Sequence, residues 1–220
     1  ALRLAPPAEA GLVAYLWPLL IVLLSGALPG ERLRAAHLIG AGLAFGGAAL
    51  IVLGGAGGTG PNPALGLTLA FGAALTWAVY SVGSRALGRW PTAAVTVYCA
   101  GTALLSLLAH LAWEEPAWPA GAQGWLAVAA LGLGPVGAAF FLWDAGVKRG
   151  DIQLLGTASY AAPILSTLAL VLAGEAEPGW RLGLAAALVA LGAGVAALAG
   201  RGGSGRRAGR SPPSGGASAS

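Results

Sequence analysis

Two short signatures bring together residues whose types and spacing could do chemistry. Tyr15-Leu16-Trp17-Pro18 and Tyr160-Ala161-Ala162-Pro163 share the pattern Tyr-x-x-Pro. Each lies inside an uncharged apolar run, Gly11 to Leu28 and Ile152 to Gly174. An aromatic ring with a hydroxyl can stack on a planar ligand and hydrogen-bond its polar end. Proline removes a backbone donor and frees a carbonyl one turn earlier. At membrane depth that carbonyl must face protein or a water-filled cavity. A pair of related broken helices therefore points to a midplane binding site between them; the competing reading is a kink that only improves packing. Pro135, flanked by Gly132, Gly134 and Gly137, marks a third bendable helix. Pro18, Pro135 and Pro163 are the expected hinges.

The tryptophans sort by depth. Trp90, Trp113, Trp118, Trp125, Trp143 and Trp180 stand at or near run ends, where an interfacial belt is expected. Trp17 and Trp77 lie deeper. Trp77, Tyr80, Ser81 and Ser84 fall at i, i+3, i+4 and i+7, one face of a helix. That face either lines a cavity or packs on another helix with its hydroxyls bonded to backbone. Tyr15, Trp17, Trp77, Tyr80, Ser81 and Tyr160 are the substrate-binding candidates. Asp144 and Lys148, four residues apart, can pair on one helix turn, as an interfacial ion pair or a cytoplasmic gate. His37 and His110 sit near run ends and read as interfacial. No Asp, Glu, Lys, Arg or His occupies the middle of a run, so these helices offer no proton-coupling site of the usual kind.

Catalysis has no support. No nucleophile with a base and no paired carboxylate lies at depth, and HExxH and GxSxG are absent. The single Cys99 excludes an internal disulfide framework and a cysteine metal cluster. Gly40, Gly42 and Gly46-Gly47 lie in an apolar run and read as packing glycines, not a nucleotide loop. Gly192 and Gly194 echo them. No catalytic residue, metal or cofactor is expected.

The elements that must position these residues are membrane helices. Hydrophobic residues make up 57% and charged residues 9% of the chain, with a mean hydropathy of +0.77. Soluble domains carry about 25% charged residues; a chain this poor in charge has lipid as its solvent. The net charge of +4 is scattered in pairs at segment ends and forms no basic face, so nucleic acid is not an expected partner. Seven uncharged runs, roughly 11–29, 35–54, 63–84, 92–113, 122–143, 152–174 and 180–200, each approach the about 20 residues that cross hydrocarbon. No ten-residue alternation suggests a barrel. The prediction is an all-α membrane protein with seven transmembrane helices.

Lys and Arg set its orientation. Alternate connections hold Arg32, Arg34, Arg85, Arg89, Lys148, Arg149 and the tail residues Arg201, Arg206, Arg207 and Arg210, against only Arg3 and Arg181 on the other side. The richer set and the C-terminus are expected in the cytoplasm, and Glu114, Glu115, Glu175 and Glu177 outside. The Pro18 and Pro163 helices then run in opposite directions, as inverted repeats require. Their prolines are 145 residues apart, and Glu31 and Glu175 follow them at similar distances. Five helix steps separate the two copies, so a five-helix unit is implied. Residues 1–54 would be the last two helices of one repeat, 55–62 a periplasmic linker, 63–200 a complete second repeat, and 201–220 a disordered cytoplasmic tail rich in Gly, Ser, Pro and Arg. The parent would be a ten-helix inverted 5+5 architecture. With Ala at position 1 and no methionine, the N-terminus is expected to be truncated, with three helices upstream.

Ala5-Pro6-Pro7-Ala8-Glu9-Ala10, followed by Tyr15-Leu16-Trp17-Pro18 and Pro29-Gly30-Glu31-Arg32-Leu33, resembles the fourth-helix region of EamA-type carriers of the drug/metabolite transporter superfamily. Leu131-Gly132-Leu133-Gly134-Pro135-Val136-Gly137 and the block Phe140 to Asp151 resemble the aromatic amino acid exporter branch in particular. The resemblance covers about residues 5–200 and implies ten helices in two inverted five-helix repeats. It also implies that the first and third family helices line the central cavity, so a chain without them is expected not to transport alone.

The expected function is export of a small metabolite, with aromatic or hydrophobic amino acids first and other drugs or metabolites second, by alternating access in a bacterial inner membrane. The alternative is a non-transporting membrane subunit acting by helix packing. Substrate and lipid bilayer are the expected partners; the oligomeric state is open.

Overall fold

A computed structural model describes residues 1–54, 60–115, 118–174 and 179–204. All regular structure among the described residues is helical: α1 (Pro7–Ala14), α2 (Trp17–Ser25), α3 (Ala35–Gly54), α4 (Pro63–Ala86), α5 (Ala94–Trp113), α6 (Gly121–Leu133), α7 (Ala139–Arg149), α8 (Ile152–Ala158), α9 (Ala162–Leu172) and α10 (Trp180–Ser204). They form seven spans long and apolar enough to cross a bilayer: α1–α2, α3, α4, α5, α6–α7, α8–α9 and α10. Four spans are single helices; the other three are the ones that carry Pro18, Pro135 and Pro163.

Local chemistry explains most boundaries. Pro7 and Pro63 open α1 and α4, where a missing N–H costs nothing and φ is already helical. Gly174, at φ +79°, follows α9 in the left-handed conformation that suits glycine just past a helix end. Several hydroxyls inside the spans return to their own helix, as Thr68 to the Ala64 carbonyl, Thr76 to Gly72 and Thr167 to Pro163. That satisfies polar groups where lipid offers no partner.

Several boundaries differ from the sequence expectation; the first span runs Pro7–Ser25 against a predicted 11–29. The fifth span continues past residue 143 to Arg149, with Asp144 and Lys148 of its last turns tied to neighbouring groups. Trp143 is thereby drawn inside the packing and leaves the interfacial set. α10 runs on to Ser204, past the predicted boundary at residue 200. The rest of the tail, most of the predicted linker, and Glu175 and Glu177 lie outside the described residues.

By contacts the chain divides into two units, Ala1–Ala78 with Gln153–Ser220, and Val79–Ile152. This division follows packing, whereas 1–54 and 63–200 rest on internal sequence correspondence. In the first unit α3 and α10 form the closest seam. A Cβ at Gly40 would fall on the Gly192 carbonyl oxygen and Ala196, and one at Gly192 on the Gly40 carbonyl and Ala44. A Cβ at Gly47 would lie 2.8 Å from the Ala185 carbonyl oxygen. Rising numbers on α3 meet falling numbers on α10, so the two helices are antiparallel. Gly42, Gly46 and Gly194 face open space, so only Gly40, Gly47 and Gly192 of the expected packing glycines are at this contact. Arg34 closes one end, donating to the Ala199 carbonyl. His37, expected at an interface, is buried, and its Nδ1 accepts the Arg34 N–H at 3.2 Å ahead of α3.

In the second unit α5 contacts α7, and α5 and α6 carry many exposed large apolar side chains, including Leu104, Leu105, Leu108 and Leu126, as a lipid-facing surface requires.

The seam makes a direct prediction. Gly192→Val, which places side-chain atoms on the α3 backbone, should cost about 1–3 kcal/mol as overpacking does. Gly42→Val and Gly194→Val should be nearly neutral. Thermal unfolding of the detergent-solubilised protein measures the difference.

Candidate functional site

The three compound spans break in three ways, and each break lies next to its proline. The first leaves α-helical geometry at Tyr15 and Leu16, two residues ahead of Pro18. The second passes through a π-helical turn, Gly134–Ala138, that contains Pro135. The third tightens to a 3-10 turn, Ser159–Ala161, just before Pro163, where the Ala162 N–H bonds the Ser159 carbonyl. In the first and third breaks proline is the second residue of the helix that follows, and in the second break it is the second residue of the π-helical turn itself. It withholds the N–H that an unbroken helix would use.

Tyr15 and Tyr160 both stand in these breaks, in the same unit. Tyr160 is 0% exposed. Its hydroxyl accepts the Leu19 N–H at 3.1 Å. Leu19 is the third residue of α2, one of the amides a helix start leaves without an intrahelical partner. A phenol from a span 141 residues away thus caps a helix that has no side-chain cap of its own. The Tyr160 ring meets Phe45 edge-on, with centroids 5.8 Å apart. Ala44, Ala48, Ala185 and Val189 close around it, and Tyr15 packs at the edge of the same cluster. In this state Tyr160 offers no surface to a ligand. Tyr15 is half-buried.

Trp17 and Trp77, the two tryptophans set deep in their runs, meet in the first unit with rings perpendicular and centroids 6.3 Å apart. Both are half-buried. Trp17 opens α2, so its placement depends on the helix start that Tyr160 holds.

In the second unit the expected stripe divides. Tyr80 is half-buried and meets Tyr98 edge-on at 6.4 Å. Ser81 is fully buried and accepts the Trp143 Nε1–H at 2.9 Å, so its hydroxyl serves helix packing. Ser84 donates to Asp144 Oδ1 at 3.0 Å. Asp144 Oδ2 lies 2.7 Å from Lys148 Nζ, which also donates to the Trp90 carbonyl at 3.0 Å. Asp144 is fully buried. Arg85 Nη1 donates to the Val147 and Gly150 carbonyls, each at 2.7 Å, at the end of α7. The polar side chains of α4's last turns are therefore bound to α7.

Sequence reasoning passed over several of these residues. Gly156 precedes Tyr160 by four positions, as Gly11 precedes Tyr15. A Cβ at Gly156 would lie 3.1 Å from the Pro18 carbonyl oxygen, so this glycine lets α8 approach α2. The longer pattern Gly-x-x-x-Tyr-x-x-Pro was the available signal. Phe45 and Arg85 carried none, since what they touch is distant in the chain.

The match with known proteins follows this geometry. The model of the EamA-like transporter family matches residues 1–53 and 64–198. The chain is 56% identical over 203 residues to the aromatic amino acid exporter YddG of Ancylobacter novellus, covering 91% of this chain and 70% of that protein. It is 28% identical over 171 residues to the aromatic amino acid exporter YddG of Salmonella typhimurium, covering 72% of this chain and 56% of that protein. A solved crystal structure aligns with a TM-score of 0.86 at 54% identity, covering 91% of this chain and 70% of that one. Seven apolar spans and a family model matched over nearly their whole length make this chain a member of the EamA-like transporter family, a multi-pass membrane transporter and not an enzyme.

Proposed function

We propose that the chain exports aromatic or hydrophobic amino acids across a bacterial inner membrane, by alternating access between two inverted five-helix repeats of which it holds seven helices. The observation that carries the substrate class is the 56% identity to an aromatic amino acid exporter over 91% of the chain. The paired rings of Trp17 and Trp77 agree with it, since a half-buried aromatic pair can open to sandwich a third ring. Trp17, Trp77, Tyr15 and Tyr80 are the residues proposed to meet substrate. Ser81 and Tyr160 join them only in a state that releases their present hydrogen bonds. Pro18, Pro135 and Pro163 are the proposed hinges, and local breaks at all three support that reading.

The repeat division, 1–54 and 63–200 joined by 55–62, draws support from packing. The 145-residue separation of Pro18 and Pro163 carries Gly40 to Ala185 and Gly47 to Gly192. Gly40 touches Gly192, and Gly47 touches Ala185. Each contact is the other with its partners exchanged, as a two-fold axis between repeats requires. Asp144 and Lys148 act in this reading as a cytoplasmic-side tie that holds α7.

Three outcomes test it. In proteoliposomes carrying the full-length protein, Trp17→Ala and Trp77→Ala should each lower phenylalanine or tryptophan counterflow about tenfold, the equivalent of about 1.4 kcal/mol, and lower alanine transport less. Lys148→Ala, which strands a buried carboxylate, should destabilise the fold by about 3 kcal/mol; Asp144→Asn with Lys148→Met should recover most of that in thermal unfolding. A phosphatase reporter active only in the periplasm should stay silent when fused after Ser220, and activity there would reverse the proposed orientation.

A further inference from the structure

We propose that Tyr15 and Tyr160 are alternating caps: each secures the broken span of the other repeat in one state of the cycle, and this structure is the Tyr160 state. The inference rests on the two-repeat reading above. The same 145-residue offset that exchanges the α3–α10 contacts also carries Gly11 to Gly156, Tyr15 to Tyr160, Pro18 to Pro163 and Leu19 to Ile164.

Applied to the broken spans, the exchange fails. The Tyr160 hydroxyl holds the Leu19 N–H, yet among the described residues no bond joins Tyr15 to Ile164. Gly156 sits against the Pro18 carbonyl, whereas Gly11 meets only Val52 Cγ1, at 3.5 Å. Tyr160 is sealed and Tyr15 only half-buried. One seam thus obeys the two-fold relation and one pair of spans departs from it. In a carrier built of inverted repeats, the second state arises when the repeats exchange conformations. Contacts already symmetric survive that exchange and form the pivot. Contacts present on one side only must move to the other. The α3–α10 seam is therefore the fixed element, and Tyr15 with Gly11 is the counterpart that engages Ile164 and Pro163 when Tyr160 and Gly156 let go.

The two states are unequal by sequence. Phe45 packs on Tyr160, but the offset carries Phe45 to Ala190, so Tyr15 gains no ring in its own socket. The Tyr160 state is the resting one.

Hydrogen–deuterium exchange of the full-length protein in lipid nanodiscs tests this, since it reads both helix starts at once. Tyr160→Phe keeps the ring and removes the acceptor. It should speed exchange in the segment containing Leu19 about fivefold, the size of one hydrogen bond. It should also slow exchange in the segment containing Ile164. Adding Tyr15→Phe should abolish that slowing, and Tyr15→Phe alone should leave the Leu19 segment protected. If Tyr160→Phe does not fold, Gly156→Ala, which crowds the Pro18 carbonyl, carries the same pair of expectations. Faster exchange at Leu19 with no change at Ile164 would make Tyr160 a structural cap only and overturn the proposal, as would slowing at Ile164 that persists without the Tyr15 hydroxyl. Transport by the wild-type protein is measured separately: if it moves aromatic amino acids but Tyr160→Phe shows no reciprocal change, the function stands and this switch falls. Reciprocal exchange in a protein that moves none keeps the switch and removes the substrate assignment.

Discussion

A bilayer supplies no water to a backbone group that leaves its helix, so every break in a span must be answered from within the protein. Among the described residues three of the seven spans break, and the first of those breaks is answered by the Tyr160 hydroxyl on the Leu19 amide. That bond needs Tyr160 at full burial, which needs the small residues Ala44, Ala48 and Ala185 around its ring. Those residues in turn belong to the α3–α10 seam. The start of α2, and with it Trp17, is therefore held by a chain of contacts that ends in glycines far away in sequence.

The two units hold their helices by different physics. In lipid there is no hydrophobic drive between helices, so association relies on close van der Waals contact or on polar bonds. The first unit relies mainly on the former, since Gly40, Gly47 and Gly192 let two backbones touch, with the Tyr160–Leu19 and Arg34–Ala199 bonds added. The second uses the latter: Ser81 with Trp143, Ser84 with Asp144, Lys148 with Asp144 and Trp90, and Arg85 with the last carbonyls of α7. A polar ladder is directional, whereas close backbone contact is set by shape.

Membership of a transporter family and likeness to aromatic amino acid exporters set the context for these contacts. Aromatic rings recur where backbones are irregular: Trp17 opens α2 and meets Trp77, while Tyr160 occupies a 3-10 turn and meets Phe45. Ring stacking tolerates small rotations of a helix end better than a hydrogen bond does, because it has a broad geometric optimum.

The amino-acid sequence alone determined the class, the number of spans and the places where they break. Length of apolar run, charge at run ends and proline within a run are local quantities, and lipid translates them into structure with few alternatives. It also singled out Trp17, Trp77 and the Asp144–Lys148 spacing, because depth and helical period are local too. Only the tertiary structure decided which side chain answers each break, which glycines touch, and that Ser81 and Trp143 serve packing. A freed amide can be met by any acceptor the fold brings near, and nothing in the residues around Leu19 names Tyr160. Gly40 and Gly42 look alike in the chain, yet a helix turns by about 100° per residue, so two positions apart they face nearly opposite ways. Which of them meets a neighbour depends on where that neighbour stands.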